Sequence, residues 1–258
     1  MEYKQDWEHV FFLLLMKSFG TKINGEAFYE MGKAIPFPVI RKLNNDAFKL
    51  ESLLMGTAGF LEDDSVVDEY YLNLKKEYQY LSVKYLLTGS IHLKPDFFKL
   101  RPHNFPTIRL SQIAALYANQ KHLFSKLMAA QTIDEIYNLF ITSASSYWDT
   151  HFTFGKISRK REKKLSRSLM DLIIINAVLP LKFCYDRSKG RESSNLLIEL
   201  ASAIKPEQNS VISNYQDIGV SSKSGMDGQG LLQLYNTYCT KNKCLQCPVG
   251  ISILGRNN

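Results

Sequence analysis

Near its start the chain lacks any apolar stretch long enough to span a bilayer: the longest strongly apolar run there, Val10 to Met16, covers only a fraction of one and sits between His9 and Lys17. There is no basic leader with a small-residue cleavage site, so the run does not read as a signal peptide. No membrane partner is expected, and the expected location is cytoplasmic. Cysteine is scarce, four residues in 258. In a reducing compartment these are expected to be thiols or metal ligands rather than disulfides. Also missing are the phosphate-binding P-loop, the dinucleotide glycine fingerprint, His-Glu-x-x-His and the Gly-x-Ser-x-Gly elbow, which removes the enzyme classes those motifs mark. The five histidines, His9, His92, His103, His122 and His151, stand singly with no metal spacing. No repeat of fixed period marks a solenoid, and the one low-complexity tract is the Ser/Gly stretch Ser221 to Gly230.

What is present describes a globular protein. Hydrophobic residues make up 45% and aromatics 12%, with 14 Tyr and 15 Phe far ahead of two Trp. Together with a mean hydropathy of −0.18, this argues against disorder and against a membrane-embedded chain. The length allows one large core or two smaller ones. A formal charge of +7 and a pI near 9.1 suit an anionic partner. Nucleic acid comes ahead of lipid because no basic amphipathic anchor stands out, although a solvated basic face fits the same numbers.

Apolar residues recur at helical spacing nearly everywhere. Tyr71, Leu74, Tyr78, Leu81 and Tyr85 step by three and four, which lines one face of a helix from about Val67 to Leu87. Thr132 and Glu135 form a capping-box pattern opening a short helix through Phe140, and Pro206 suits the first turn of another toward Asp217. Further helices are predicted over Trp7 to Phe19, Ala47 to Gly59, Pro106 to Asn119, His122 to Ala130, Ser168 to Val178, Ser193 to Ile204 and Gly228 to Tyr238. Breaks are predicted at Pro36-Phe37-Pro38, Gly89 to Pro95, Gly155 to Arg167, Asp186 to Gly190 and Gly219 to Gly230. The expected architecture is all-α, one compact helical domain spanning residues 1–258, with residues 239–258 as a small cysteine-containing subsite.

Several strings occur in an order that carries a family resemblance: Glu51-Ser52-Leu53-Leu54-Met55-Gly56-Thr57-Ala58-Gly59, Glu77-Tyr78-Gln79-Tyr80-Leu81, Arg101-Pro102-His103-Asn104-Phe105-Pro106-Thr107-Ile108-Arg109, Tyr147-Trp148-Asp149-Thr150-His151, and Gln233-Leu234-Tyr235-Asn236 leading to Cys247. Through most of its length the chain resembles a bacterial family known only as a domain of unknown function, number 2851. It departs from that pattern with Thr57 in place of a common Gln and Gly230 in place of a common Ala. The resemblance implies a longer protein with a preceding section rich in Asp, Glu and His, loosely nuclease-like. On that reading this chain begins after it, at Met1, and is the associated helical module beside a nuclease-like partner domain.

Three constellations hold candidate site residues. In the tail, Cys239, Cys244 and Cys247 stand at C-x4-C-x2-C spacing, which can bring thiolates onto one zinc ion or iron–sulfur cluster. A closed site needs a fourth ligand, for which Cys184 is the candidate. The spacing is similar to the cluster loop of helical DNA glycosylases, but no further cysteine follows Cys247, and reduced, partly buried thiols are the other reading. The second constellation is Arg101, His103, Asn104 and Arg109, set around two prolines at the start of a helix whose free N–H groups suit a phosphate or carboxylate. Against this, Asn104 could cap the helix while Arg109 pairs with an interior acid, Glu51 or Glu77.

The third constellation sets Tyr147, Trp148 and His151 before the basic run Lys156, Arg159, Lys160, Arg161, Lys163, Lys164 and Arg167, seven cations in twelve residues with Glu162 the one acid among them. Stacking aromatics beside clustered cations characterise single-strand nucleic-acid grooves; a mobile, solvated loop over a buried Trp explains the same letters. Three functional readings follow. The first is a non-catalytic basic module that associates with nucleic acid. The second is a protein-interaction or scaffold domain with incidental charge. The third is an enzyme that brings Glu51, Glu77, His103 and Arg109 into one pocket.

Overall fold

The computed structural model describes residues 6–87 and 93–255 and is all-α, with one two-stranded sheet among the described residues. Gly89 and His92 lie outside the described residues. The chain divides into two compact units, Met1–Gly190 and Arg191–Asn258.

In the first unit, α1 (Trp7–Ala34) is a hairpin rather than a rod. Along a straight helix Lys17 and Glu26 would stand about 13 Å apart, yet their charged atoms pair at 2.5 Å. A methyl added at Gly32 would lie 3.0 Å from Leu13 Cδ2, and one added at Gly20 would lie 2.8 Å from Gly25 Cα. The reversal sits at Thr21 (φ 54°, ψ −156°), and the glycines let the two arms meet backbone to backbone. The helix predicted to end at Phe19 therefore turns back and continues to Ala34. Buried Asn24 fixes the return arm by exchanging two 2.8 Å bonds with the backbone of Asp96.

Helix α2 (Phe37–Leu43) starts within the Pro36-Phe37-Pro38 predicted as a break, because Pro38 occupies the first turn, where no N–H is needed. Asp46 caps α3 (Ala47–Thr57), in which every residue from Leu50 to Thr57 is buried, the signature of a central core helix. It packs against α4 (Glu69–Lys84) and α5 (Pro106–Asn119). Asp68 caps α4, which turns Tyr71, Leu74 and Leu81 inward as their spacing predicts. Helices α6 (Leu123–Ala129) and α7 (Ile133–Leu139) follow, the latter opened by the expected box of Thr132 and Glu135.

Residues 140–166 make an excursion from the helical body, with β1 (His151–Thr153) antiparallel to β2 (Lys156–Ile157). Helix α8 (Arg167–Ile173) passes through a π-turn at Ile174–Val178 into α9 (Leu179–Ser188). The turn accommodates Pro180, and Leu179 N–H reaches back to Ile174 O. Helix predicted to stop at Val178 thereby continues to Ser188. Among the described residues this one helix, Arg167–Ser188, is long and apolar enough to cross a membrane by length and composition, with 50% of its apolar window buried in the protein.

The second unit holds α10 (Ser194–Ala203), α11 (Ser210–Asp217), α12 (Gly225–Thr237) and α13 (Pro248–Gly255). Asn209, not Pro206, sets the start of α11 by accepting from Ile212 N–H at 3.0 Å. Ser224 and Asp227 form a capping box that starts α12 before the predicted Gly228. Helix α13 has no counterpart in the sequence reading; a methyl at its Gly250 would collide with the Cys244 carbonyl.

The contact between α3 and α4 supplies a test. A methyl added at Gly56 would overlap the ring of Tyr78, so Gly56→Ala is expected to destabilise the protein by about 2 kcal/mol, within the usual cost of overpacking. Urea denaturation measures it, and a second change, Tyr78→Leu, should restore part of the loss.

Candidate anion-binding site

Helix α5 opens from an extended Arg101 and a short 3-10 turn, Pro102–Asn104. Its N-cap is Phe105, Pro106 fills the first turn, and no side chain caps this end. Asn104, expected as the cap, instead accepts from Arg109 Nη2 at 2.6 Å, while Arg109 Nη1 donates to Gln112 Oε1 at 2.9 Å. Arg109 is 6% exposed and its Nε has no partner. Among the described residues no carboxylate pairs with it.

The alternative pairing with Glu51 or Glu77 is therefore corrected. Glu51 accepts from Ser111 Oγ (2.6 Å), Trp148 Nε1 (2.7 Å) and the Tyr70 hydroxyl (2.9 Å), and Glu77 keeps a buried oxygen without a partner. The reason is helical geometry. Ser111 faces Glu51, and Arg109, two residues away, points from the opposite side of α5, where Gln112 at i+3 can reach it. Burial pushes the Arg109 guanidinium down to about 10, which leaves it charged at neutral pH.

The basic run is not a loose loop. Ala144 N–H donates to Lys163 O (3.1 Å), Leu165 N–H to Thr142 O (2.9 Å) and Arg161 N–H to Asp149 O (2.8 Å), while Gln112 Nε2 donates to Lys163 O (2.9 Å). Lys163 is itself turned inward, 3% exposed. Its ammonium donates to the carbonyls of Asp149 (2.9 Å) and Arg161 (3.0 Å) and lies 4.3 Å from the Phe152 ring centre. Burial pushes its pKa down, Asp149 opposing and Arg161 adding to the shift. Lys156, Arg159, Lys160, Arg161, Lys164 and Arg167 are exposed. Lys164 pairs with Glu162 at 3.1 Å, and Arg167 with Asp171 at 3.7 Å.

The aromatics of the third constellation pack against other groups of the protein. Trp148 is fully buried against Glu51 and offers no stacking face. Tyr147 stacks between Tyr70 (4.2 Å) and His151 (4.1 Å), and its hydroxyl donates to Asp68 at 2.8 Å. His151 Nδ1 lies 3.0 Å from Tyr147 O.

Two constellations that are separate in sequence meet across a cavity of about 460 Å³. His103, Asn104, Arg109 and Gln112 line it from the entrance to α5, and Arg161, Lys163 and Lys164 from the basic run; Glu162 is the one acid in the lining. Arg101, Trp148, His151, Lys156, Arg159, Lys160 and Arg167 do not line it, nor do Glu51 and Glu77, so the four residues of the enzyme reading do not share it. His103 packs edge-on to Phe152 at 5.2 Å. Burial lowers its pKa, and Arg161, Lys163 and Arg109 lower it further. With an uncapped helix start, a buried guanidinium and several flanking cations, the arrangement is suited to holding an anion. The sequence reading missed Gln112, although its i+3 spacing from Arg109 was the available signal.

All four cysteines are free, Cys247 buried and the others exposed. Cys184 lies on α9 of the first unit, and Cys239, Cys244 and Cys247 in the second. The Tyr215 hydroxyl lies 3.7 Å from Cys239 Sγ. Two successive 3-10 turns, with Asn242 left-handed between them, separate Cys239 from Cys244. Among the described residues no three His, Cys, Asp or Glu side chains converge to hold a metal ion.

Two outcomes follow. Burial holds the Arg109 guanidinium down at about 10, so Arg109→Met, which removes an uncompensated buried charge, is expected to raise stability by about 1 kcal/mol in thermal melts. His103 has a folded pKa below its unfolded one, and an anion beside it raises that value, so binding takes up a proton. Sulfate affinity, measured calorimetrically, should therefore strengthen as pH falls from about 7.5 to about 5.5, and His103→Gln should flatten the trend.

No curated protein and no solved structure matches the chain. One family matches residues 1–210, covering the whole of the first unit and continuing into the second. The matched residues include the strings around Gly56, Arg109 and Trp148 that build the core and the cavity, and the chain belongs to the family described as "Protein of unknown function (DUF2851)".

Proposed function

We propose that this chain is a non-catalytic, basic helical module that associates with nucleic acid, with the cavity and the exposed cations beside it as the contact surface. The observation that supports this reading is Arg109, a buried guanidinium that among the described residues has no carboxylate partner and an unpartnered Nε, on a cavity shared with Arg161, Lys163 and Lys164. The exposed Lys156, Arg159 and Lys160 continue the positive charge along the same segment, as a phosphate backbone requires. Trp148 is buried and Tyr147 is already stacked between Tyr70 and His151, which favours phosphate contact over base stacking. The family resemblance adds a nuclease-like domain as the companion beside which such a module would act.

Charge reversal at the exposed positions tests the reading. Lys163 is left intact because it holds the segment together, and Arg159, Lys160, Arg161 and Lys164 are replaced together by Glu. Wild-type protein should bind single-stranded or duplex DNA with an affinity that falls steeply as salt rises, and the quadruple variant should lose at least about tenfold at low salt. Wild-type protein that ignores both at low salt would sink the proposal.

A second reading, a protein-interaction domain, draws on the exposed apolar residues Leu245, Val249, Ile251 and Leu254 of the second unit. It requires a defined assembly that survives nuclease treatment.

A further inference from the structure

The cavity differs from a groove that tracks a nucleic-acid backbone. A phosphodiester within a strand carries one negative charge and has chain on both sides, so exposed cations along an open surface serve it best. Here the central cation is nine-tenths buried. Arg109 uses Nη1 on Gln112 and Nη2 on Asn104 and keeps Nε without a partner. Lys163 directs its ammonium to two backbone carbonyls, so it contributes charge to the lining. The first turn of α5, which no side chain caps, contributes Ile108 and Arg109 to the same lining; Arg109 N–H donates to Phe105 O, which leaves Ile108 N–H as the backbone donor of the lining suited to an oxyanion. Arg161 is exposed at the edge with no side-chain partner among the described residues. The volume, about 460 Å³, is that of a small-molecule site. A phosphomonoester brings nearly two charges and three free oxygens at the end of its parent molecule, which matches concentrated, buried, multi-donor chemistry better than a diester does.

We infer that the cavity binds a phosphomonoester, with Arg109 as its buried ligand and Arg161 as its ligand at the edge, and that the phosphomonoester is the terminal phosphate of a nucleic-acid strand. The choice of a strand end as the source rests on the function proposed above; the chemistry of the site does not.

The test uses the full chain and short single-stranded oligonucleotides of one sequence bearing a 5′-phosphate, a 3′-phosphate or hydroxyls at both ends. Inorganic phosphate and a nucleoside monophosphate serve as further probes. Affinities are measured for the wild type, Arg109→Met and Arg161→Gln, and thermal melts show that each variant folds; Arg161 is exposed, so its replacement leaves the core untouched. One phosphorylated end should bind about tenfold or more tightly than the hydroxyl-ended strand, the range of a charge-assisted, multi-donor contact, and both variants should lose that preference. Equal binding of all three strands by the wild type overturns the phosphomonoester site and leaves the nucleic-acid reading standing. Binding of inorganic phosphate and nucleotide, lost in Arg161→Gln, with no strand bound, supports the phosphomonoester site and overturns the nucleic-acid reading. Failure of every probe to bind or to raise the wild-type melting temperature overturns both.

Discussion

The carboxyl of Glu51 holds the first unit together. It is 1% exposed on the central helix α3, where a carboxyl deprived of water is costly unless donors replace that water. Three do so, each from a different element: Tyr70 on α4, Ser111 on α5 and Trp148 on the 140–166 excursion. Ser145 closes the network, its hydroxyl 2.8 Å from the Tyr70 hydroxyl and its N–H donating to Ser111 Oγ. Burial pushes the Glu51 carboxyl above its usual range, and the bonds from Ser111, Trp148 and Tyr70 pull against that shift. The excursion is thus anchored on one side by a buried polar network. On the other it is anchored by the inward ammonium of Lys163, and the basic residues between these anchors inherit a fixed position.

The same network determines the state of Arg109. An acid and an arginine inside one unit would ordinarily be expected to find each other, and here they do not. Neutral donors satisfy Glu51, and the arginine is turned to the far side of α5 toward two amide oxygens. The two groups are thereby satisfied separately. Amide oxygens relieve the donors of a guanidinium without cancelling its charge, so the cavity keeps a positive interior that desolvation makes costly. A natural core retains a group of that kind where function needs it more often than where stability does.

Much of the helical framework was legible because it depends on local signals. The periodicity of α4 follows from spacing, the helix at Ile133 from the box of Thr132 and Glu135, and the start of α5 from Pro106 in its first turn. What escaped depends on contacts distant in sequence or on ambiguous punctuation. Thr21 gives no sign that α1 reverses; only the close approach of Gly20 to Gly25 and of Gly32 to Leu13 reveals it. Pro38 reads as a break, and the helix predicted from Ser168 stops at Val178, short of Pro180; yet one proline falls in a first turn and the other behind a π-turn, the two settings where a missing N–H is tolerated. The candidate site was legible as two lists of residues and illegible as one place, because the cavity exists only when the 161–166 segment folds back over the start of α5. Trp148 was misassigned for a related reason: its sequence neighbours are cations, but its spatial neighbour is Glu51.

A run of seven cations also overstates the number available to a ligand, and backbone geometry explains the difference. In extended chain, alternate residues face opposite ways. Lys163 and Leu165 are buried while Glu162 and Lys164 are exposed, so one lysine of the run points into the protein. Its ammonium sits over Phe152 and bonds the carbonyls of Asp149 and Arg161, which draws the two sides of the excursion together. Lys164 is balanced by Glu162, and Arg167 by Asp171. What remains in the lining is Arg161, together with the charge of Lys163 and of Arg109, which has no carboxylate partner among the described residues. The net charge of the chain is spread over many exposed lysines, but the part of it that an anion would meet at close range is this pair of arginines. One of them comes from the helix entrance and one from the basic run, and the fold that holds them in place is anchored on Glu51.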